Sequence, residues 1–140
     1  MLRVPWRKLR PIVVFVDKPS DATRSLSASH QNIALAIGLR LSIGLALACE
    51  ARLIVAPDSA FLHLAGARGI PCVGVFGPTN GVLRTSSYPQ AVVVSRSELP
   101  CSPCWRNQAT PCILSQGMRS VCLESLPPAL VIDAATRLLG

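Results

Sequence analysis

Residues 53–79, LIVAPDSAFLHLAGARGIPCVGVFGPT, decide the fold, because they predict a strand, a helix and a second strand in direct succession. The first strand is the apolar run LIV, and after it come Asp58 and Ser59, two residue types that cap the amino terminus of a helix. The helix is apolar on most sides, and Gly69 is suited to end it. The second strand, CVGVF, has the apolar character of a buried parallel strand. The stretch therefore predicts a βαβ unit.

The two loops of this unit predict a binding site for an anion. The first loop lies at the carboxyl end of a strand and leads into a helix amino terminus, where free N–H groups and the helix dipole favour an anion such as a diphosphate. Ser59 can donate a hydroxyl there, and His63, about one turn further, lies on the same helical face. The loop Gly77-Pro78-Thr79 follows the second strand at the same edge of a parallel sheet. The two loops are therefore expected to converge.

The rest of the chain completes an α/β fold with a parallel sheet and flanking helices. We expect a buried strand at 11–16, a polar loop or disordered connection at 17–31, and an extended segment at 32–37. A helix that is hydrophobic nearly all round is expected to run to about Glu50, and a polar loop covers 80–90. A strand at 91–94 and a helix at 128–139 follow.

The composition indicates a folded protein with a basic surface. The chain has 140 residues, of which 50% are hydrophobic, and its mean hydropathy of +0.44 argues against disorder. The formal net charge of +7 suits an anionic ligand, an anionic membrane surface or nucleic acid, and equally suits simple solubility. The basic residues are scattered, and no basic stripe with interleaved aromatics occurs. No nucleic-acid partner is therefore expected.

The amino terminus and the apolar segments predict an intracellular protein. Residues 1–10 are a basic leader without the apolar region of a secretory signal. The most apolar window, 33–51, contains Arg40 and Glu50, so it predicts a buried helix rather than a transmembrane span. We expect the chain to lie in the cytoplasm, either free or peripheral at the inner membrane.

Six cysteines fall into two kinds. Two of them, at positions 49 and 72, lie in apolar contexts that are typical of small buried hydrophobic residues. The other four lie in a segment at 99–123 that is rich in small and polar residues, and four thiolates can bind a structural zinc ion. Free thiols and disulfides are the alternatives, and the lack of an export signal disfavours disulfides. The candidate ligands are Cys101, Cys104, Cys112 and Cys122.

Three motifs together resemble the carboxyl-terminal part of the family-nine glycosyltransferases, the ADP-heptose:lipopolysaccharide heptosyltransferases. They are DSAFLHLA from Asp58, FGPT ending at Thr79, and CSPC from Cys101, and they occur in the family's order. The resemblance implies a GT-B enzyme, whose carboxyl-terminal Rossmann-like domain binds the nucleotide-sugar donor. Residues 11–140 are then one such domain, and the resemblance implies no cofactor requirement for transfer.

The resemblance also implies residue roles. It implies that Asp58, Ser59, Ala60 and His63 line the diphosphate and sugar pocket of a donor such as ADP-heptose, with Thr79 and its loop opposite. The family usually has Gly where this chain has Ala60, which narrows the approach of a phosphate to the backbone.

The chain has no counterpart of the family's acceptor-binding domain or of its catalytic base. It is therefore predicted to be a truncated enzyme or one part of a split enzyme, inactive alone, with no catalytic residue assigned here. A non-catalytic nucleotide-sugar-binding module and a zinc-stabilised basic interaction protein are the alternative hypotheses. The identity of the sugar, of the nucleotide and of the lipopolysaccharide or other glycan acceptor stays open.

Overall fold

The structure, a computed structural model, describes residues 11–107 and 109–140, so the basic leader proposed at 1–10 lies outside the described residues. The described residues form an α/β fold in which all strand pairs are parallel. The strands are β1 (Ile12–Val16), β2 (Ile33–Ile37), β3 (Ile54–Pro57), β4 (Cys72–Phe76) and β5 (Ala91–Ser95). The helices are α1 (Asp21–Ser29), α2 (Leu41–Ala48), α3 (Ala60–Arg68), α4 (Gly81–Arg84), α5 (Val121–Glu124) and α6 (Pro128–Leu139). The predicted fold class, a Rossmann-like arrangement of parallel strands and flanking helices, is confirmed.

The strands lie in two sheets rather than one. The first sheet pairs β1 with β2, and the second has the order β3-β4-β5. The chain also divides into two compact units, of which one ends at Ala46 and the other covers Leu47–Gly140. Each sheet belongs to one unit. The single domain proposed for residues 11–140, with its cysteine-containing segment at 99–123, stays a prediction.

In the first unit, the loop predicted at 17–31 is wrong, because that segment contains α1. Ser20 caps this helix: its side chain accepts a hydrogen bond from the N–H of Thr23 at 3.2 Å, and the Thr23 hydroxyl accepts from the N–H of Ser20 at 3.0 Å. This reciprocal pair is a capping box. The segment reads as a polar loop because Thr23 takes the place that Glu or Gln usually has in this motif.

The burial predicted for the first strand and for α2 is also wrong, although both elements exist. No residue of β1 is buried, because among the residues of this unit that the structure describes, β1 pairs with β2 alone. Helix α2 ends two residues before Glu50 and leaves Leu41, Ile43 and Leu47 exposed. A helix that is apolar all round cannot bury every side against one sheet.

The second unit has a core on both faces of its central strand, β4. Successive residues of a strand point to opposite faces, so Cys72 and Phe76 pack on one side with Leu62 of α3, and Val73 packs on the other with Ala134 of α6. All five of these side chains are at most 1% exposed. Burial of each large apolar side chain contributes about 1.5–3 kcal/mol to the stability of this unit.

The predicted βαβ unit is confirmed, with one difference at the end of the first strand. Strand β3 continues through Pro57 instead of stopping before it, and it pairs in parallel with β4. Helix α3 ends at Gly69, whose φ of 66° is the left-handed conformation that glycine favours. The loop after β3 and the loop after β4 therefore lie at the same edge of the sheet, as predicted.

The remaining elements also follow the sequence, apart from two short helices. Strand β5 and helix α6 are confirmed, whereas α4 interrupts the loop predicted at 80–90 and α5 lies within the cysteine-containing segment. Across the described ranges 11–107 and 109–140, every helix is too short or too polar to cross a membrane.

Candidate functional site

Ser59 is the N-cap residue of α3, but its side chain does not cap the helix. Its backbone is extended, with φ −152° and ψ 168°, and its carbonyl accepts the hydrogen bond from the N–H of His63 at 3.2 Å. The Ser59 hydroxyl oxygen is buried and has no hydrogen-bond partner among the residues that the structure describes. The neighbouring Ala60 is exposed at the first position of the helix. The first N–H groups of α3 and an unpaired hydroxyl thus lie together at this edge of the sheet.

Asp58 and His63 are in direct contact, a pairing that the sequence analysis did not predict, because it placed Ser59 on the same helical face as His63. The His63 Nε2–H donates a hydrogen bond to Asp58 Oδ1 at 3.0 Å, because an ionised carboxylate can only accept. The other ring nitrogen, Nδ1, lies 2.5 Å from the hydroxyl of Tyr88. If the ring is neutral, Nδ1 accepts a hydrogen bond from the Tyr88 hydroxyl; if it is protonated, Nδ1–H donates to the hydroxyl oxygen. Both ring nitrogens of His63 therefore have partners within the protein.

Two residues that the sequence analysis did not identify, Tyr88 and Arg84, complete this network. Arg84 Nε lies 3.4 Å from Asp58 Oδ2, so the carboxylate has a partner on each oxygen. Tyr88 packs over Gly66, one turn beyond His63 on α3, where any side chain on Gly66 would collide with the tyrosine ring. Both residues lie in the segment after β4. The sequence analysis placed the start of this segment at the binding edge of the sheet, and that placement was the only sequence feature that pointed to them.

The loop Gly77-Pro78-Thr79 reaches the network through Trp105. Gly77 is buried, and the Pro78 carbonyl accepts a hydrogen bond from the N–H of Trp105 at 2.8 Å. The Trp105 ring lies 5.9 Å from the guanidinium carbon of Arg84, a distance at which a cation is attracted to an aromatic face. The half-buried Thr79 makes no hydrogen bond to Asp58 or His63 in the described part of the chain. The loop and the start of α3 are therefore linked by the Arg84 side chain.

The four cysteines of the 99–123 segment are free thiols that differ in burial. Cys112 and Cys122 are buried, Cys101 is half-buried and Cys104 is exposed. Backbone N–H groups of Val121, Ser115 and Leu114 hydrogen-bond the Cys112 sulfur and lower the pKa of that thiol to about 7.

The pKa of the Cys122 thiol shifts the other way. Burial raises it most, a backbone hydrogen bond from Leu123 opposes this rise, and the charges of Cys104 and Cys112 add to it. Even so, within residues 11–107 and 109–140, no three His, Cys, Asp or Glu side chains are arranged to hold a metal ion. The structural zinc site therefore stays a prediction.

The described residues have the Rossmann-like α/β fold that one half of a GT-B glycosyltransferase has, and a sequence comparison identifies the family. The sequence model of glycosyltransferase family 9 (heptosyltransferase) matches residues 11–113, so the chain belongs to this family. A relative is the lipopolysaccharide heptosyltransferase 1 of Pseudomonas aeruginosa, which is 35% identical over 85 residues. That alignment covers 61% of this chain and 24% of the relative, so the chain spans about a quarter of the length of the curated relative that it matches. No solved structure matches the chain.

Proposed function

We propose that this chain binds the nucleotide-sugar donor of a heptosyltransferase-type glycosyltransferase. The donor is a nucleoside diphosphate sugar such as ADP-heptose, and the acceptor is a lipopolysaccharide or another glycan. The proposal is supported by the family and by the relative in Pseudomonas aeruginosa, which is a lipopolysaccharide heptosyltransferase. The acceptor-binding part belongs to another domain or to a separate chain. The cytoplasm, or the cytoplasmic face of the inner membrane, is the proposed location.

The observation that carries the proposal is the unpaired hydroxyl of Ser59. A buried hydroxyl without a hydrogen-bond partner is costly and uncommon in native proteins, and a bound ligand supplies the missing partner. The hydroxyl belongs to the N-cap residue of α3, a helix of nine residues whose first N–H groups have no partner within the helix. A diphosphate at this position gains hydrogen bonds from these groups and a favourable interaction with the helix dipole.

The proposed roles follow from this geometry. The backbone N–H groups of Ser59 and Ala60 and the Ser59 hydroxyl hydrogen-bond the diphosphate, and they stabilise the negative charge that develops on it when the sugar leaves. Asp58 does not face the diphosphate as a free anion, because each of its oxygens already has a partner, His63 or Arg84. The loop that ends at Thr79 closes the opposite side of the pocket. No residue of this chain is proposed as the catalytic base, and no metal is proposed to take part in the transfer.

Titration calorimetry of the 140-residue chain with ADP and ADP-heptose tests this proposal. We expect Ser59→Ala to weaken binding by about tenfold, since a hydrogen bond to a charged group is lost. We also expect this variant to be slightly more stable than the wild type without ligand, because it removes an unpaired buried hydroxyl. Ser97→Ala, which alters an exposed serine of the same unit, is the matched control.

Two results would contradict the proposal: a folded wild-type chain that binds neither ligand, or Ser59→Ala and Ser97→Ala variants with equal affinity for ADP. A different outcome separates the enzyme from a non-catalytic module. If the chain binds the donor but no sugar is transferred when an acceptor and an acceptor-binding heptosyltransferase domain are supplied, the function is binding alone.

A further inference from the structure

His63 cannot serve as the cation of the proposed donor site, because both of its ring nitrogens are already hydrogen-bonded. Nε2 of His63 is hydrogen-bonded to Asp58 and Nδ1 to Tyr88. Whether the ring is neutral or protonated, neither nitrogen has a hydrogen available for a phosphate oxygen unless one of these contacts breaks. A diphosphate carries at least two negative charges near the Asp58 carboxylate, so binding there requires a positive group that is still accessible.

Arg84 meets this requirement. Its Nε faces Asp58 Oδ2 at 3.4 Å, and its guanidinium lies beside the Trp105 ring. Its side chain is 49% exposed, and its two terminal nitrogens have no protein partner among the residues that the structure describes. Arginine presents its donors in a planar fork that matches the oxygens of a phosphate. One edge of Arg84 is therefore used to hold the side chain in place, and the other edge is available to a ligand.

The surrounding residues hold the guanidinium in a defined position. The Trp105 backbone is hydrogen-bonded to the Pro78 carbonyl, and the Trp105 ring lies beside the Arg84 guanidinium. Asp58 is fixed by His63 on its other oxygen. A long, flexible side chain normally loses rotamer entropy when it binds a ligand, and these contacts reduce that loss.

We propose that Arg84 binds the diphosphate of the donor and neutralises its charge, a role that rests on the donor-binding function proposed above. Arg84 does this in two ways. Its terminal nitrogens donate hydrogen bonds to the phosphate oxygens, and its pairing with Asp58 cancels the charge of a carboxylate that would otherwise repel the ligand. His63 positions Asp58 and makes no direct contact with the diphosphate.

Titration calorimetry with ADP, on the wild type and on three variants, tests this assignment. We expect Arg84→Gln to weaken ADP binding by about ten- to hundredfold, because it removes charge-assisted hydrogen bonds and leaves Asp58 without its cation. Arg84→Lys keeps the charge but loses the planar fork, so its affinity should be intermediate. Circular dichroism establishes whether each variant is folded. We expect the Arg84 variants to fold, because the Arg84 side chain is about half exposed.

Arg68→Gln is the matched control, because it removes one positive charge from the last turn of α3. That helix has nine residues, so its two ends are about 13 Å apart, which exceeds the screening length of about 8 Å at physiological ionic strength. The control should therefore bind ADP within about twofold of the wild type.

The outcomes separate this proposal from the one on which it rests. If the wild type binds ADP and Arg84→Gln binds it as well as Arg68→Gln does, Arg84 has no role and the donor site stands without it. If the folded wild type does not bind ADP, the donor site is refuted and the role of Arg84 falls with it. If Arg84→Gln alone loses affinity, the assignment is supported.

Discussion

Substitution of Gly66 by alanine should disturb the site without touching a ligand, because the ring of Tyr88 lies directly on this glycine. A Cβ atom at position 66 would come within 3.0 Å of three carbons of the ring, whereas nonbonded carbons normally stay about 3.5–4.0 Å apart. The ring must therefore move outward. Its hydroxyl is then pulled away from His63 Nδ1, to which it is hydrogen-bonded at 2.5 Å.

The magnitude can be worked out from three terms. Overpacking costs about 1–3 kcal/mol, and loss of the hydrogen bond costs about 1 kcal/mol. Replacing glycine by alanine inside a helix stabilises the helix by about 1 kcal/mol. Gly66→Ala should therefore lower the free energy of unfolding by about 1–3 kcal/mol, which urea denaturation followed by circular dichroism can measure.

A double-mutant cycle with Tyr88→Ala isolates the cause. Tyr88→Ala removes the three atoms that lie nearest to the Cβ of an alanine at position 66. In the Tyr88→Ala protein, Gly66→Ala should therefore no longer destabilise, and its helix propensity should stabilise the protein by up to about 1 kcal/mol. Tyr88→Phe keeps the ring and removes the hydroxyl, so its loss of unfolding free energy measures the contribution of the His63–Tyr88 hydrogen bond alone. If Gly66→Ala is equally destabilising with and without Tyr88, the ring does not fill this space and the reasoning is refuted.

Three further predictions concern the core and the cysteines. Leu62→Ala should lower the free energy of unfolding by about 2–5 kcal/mol, because Leu62 is fully buried between α3 and the sheet, and a loss in urea denaturation below about 1 kcal/mol would contradict this packing. The Cys112 thiol, whose pKa is lowered to about 7 by backbone N–H groups, should give a thiolate step in ultraviolet titration that Cys112→Ala lacks. This lowered pKa stabilises the folded protein fully above pH 9.0, the unfolded-state pKa, and the stabilisation is lost as the pH falls toward 7. If the wild type and Cys112→Ala show the same dependence of unfolding free energy on pH, the lowered pKa is refuted. If the 99–123 segment binds zinc, the purified chain should contain about one zinc ion and lose thermal stability with a chelator, and a folded chain without metal would exclude the site.

The parts of the fold that sequence predicted well are those with local determinants. The βαβ unit follows from apolar runs and a left-handed glycine at Gly69, which act within a few residues. Ser59 marked the start of the helix by residue type, although its side chain makes no capping hydrogen bond. Helix α1 was missed because its capping box uses Thr23, which reads as part of a polar turn. The burial of β1 was overestimated, because an apolar strand does not reveal how many elements cover it.

The network around Asp58 was only half predictable, for a different reason. Asp58 lies in the loop just before the N-cap of α3 and His63 lies in the first turns of that helix, so both belong to one short motif that the sequence identified. Tyr88 is 25 residues from His63, and it reaches the histidine only because Gly66 leaves room for its ring. The sequence shows that position 66 is a glycine, but it does not show which side chain packs into the space that the glycine leaves.

The turn that carries Arg84 explains how two distant side chains reach one helix. Asn80 caps α4 by accepting a hydrogen bond from the N–H of Leu83, and the buried Thr85 donates its hydroxyl to the carbonyl of Gly81. The carbonyl of Thr85 in turn accepts a hydrogen bond from the N–H of Tyr88 at 2.9 Å. Arg84 and Tyr88 thus belong to one hydrogen-bonded turn that follows β4, and they contact Asp58 and His63 as a unit. A substitution that loosens this turn, such as Thr85→Val, should weaken both contacts together and lower ADP affinity. An unchanged affinity would show that Arg84 and Tyr88 are positioned independently.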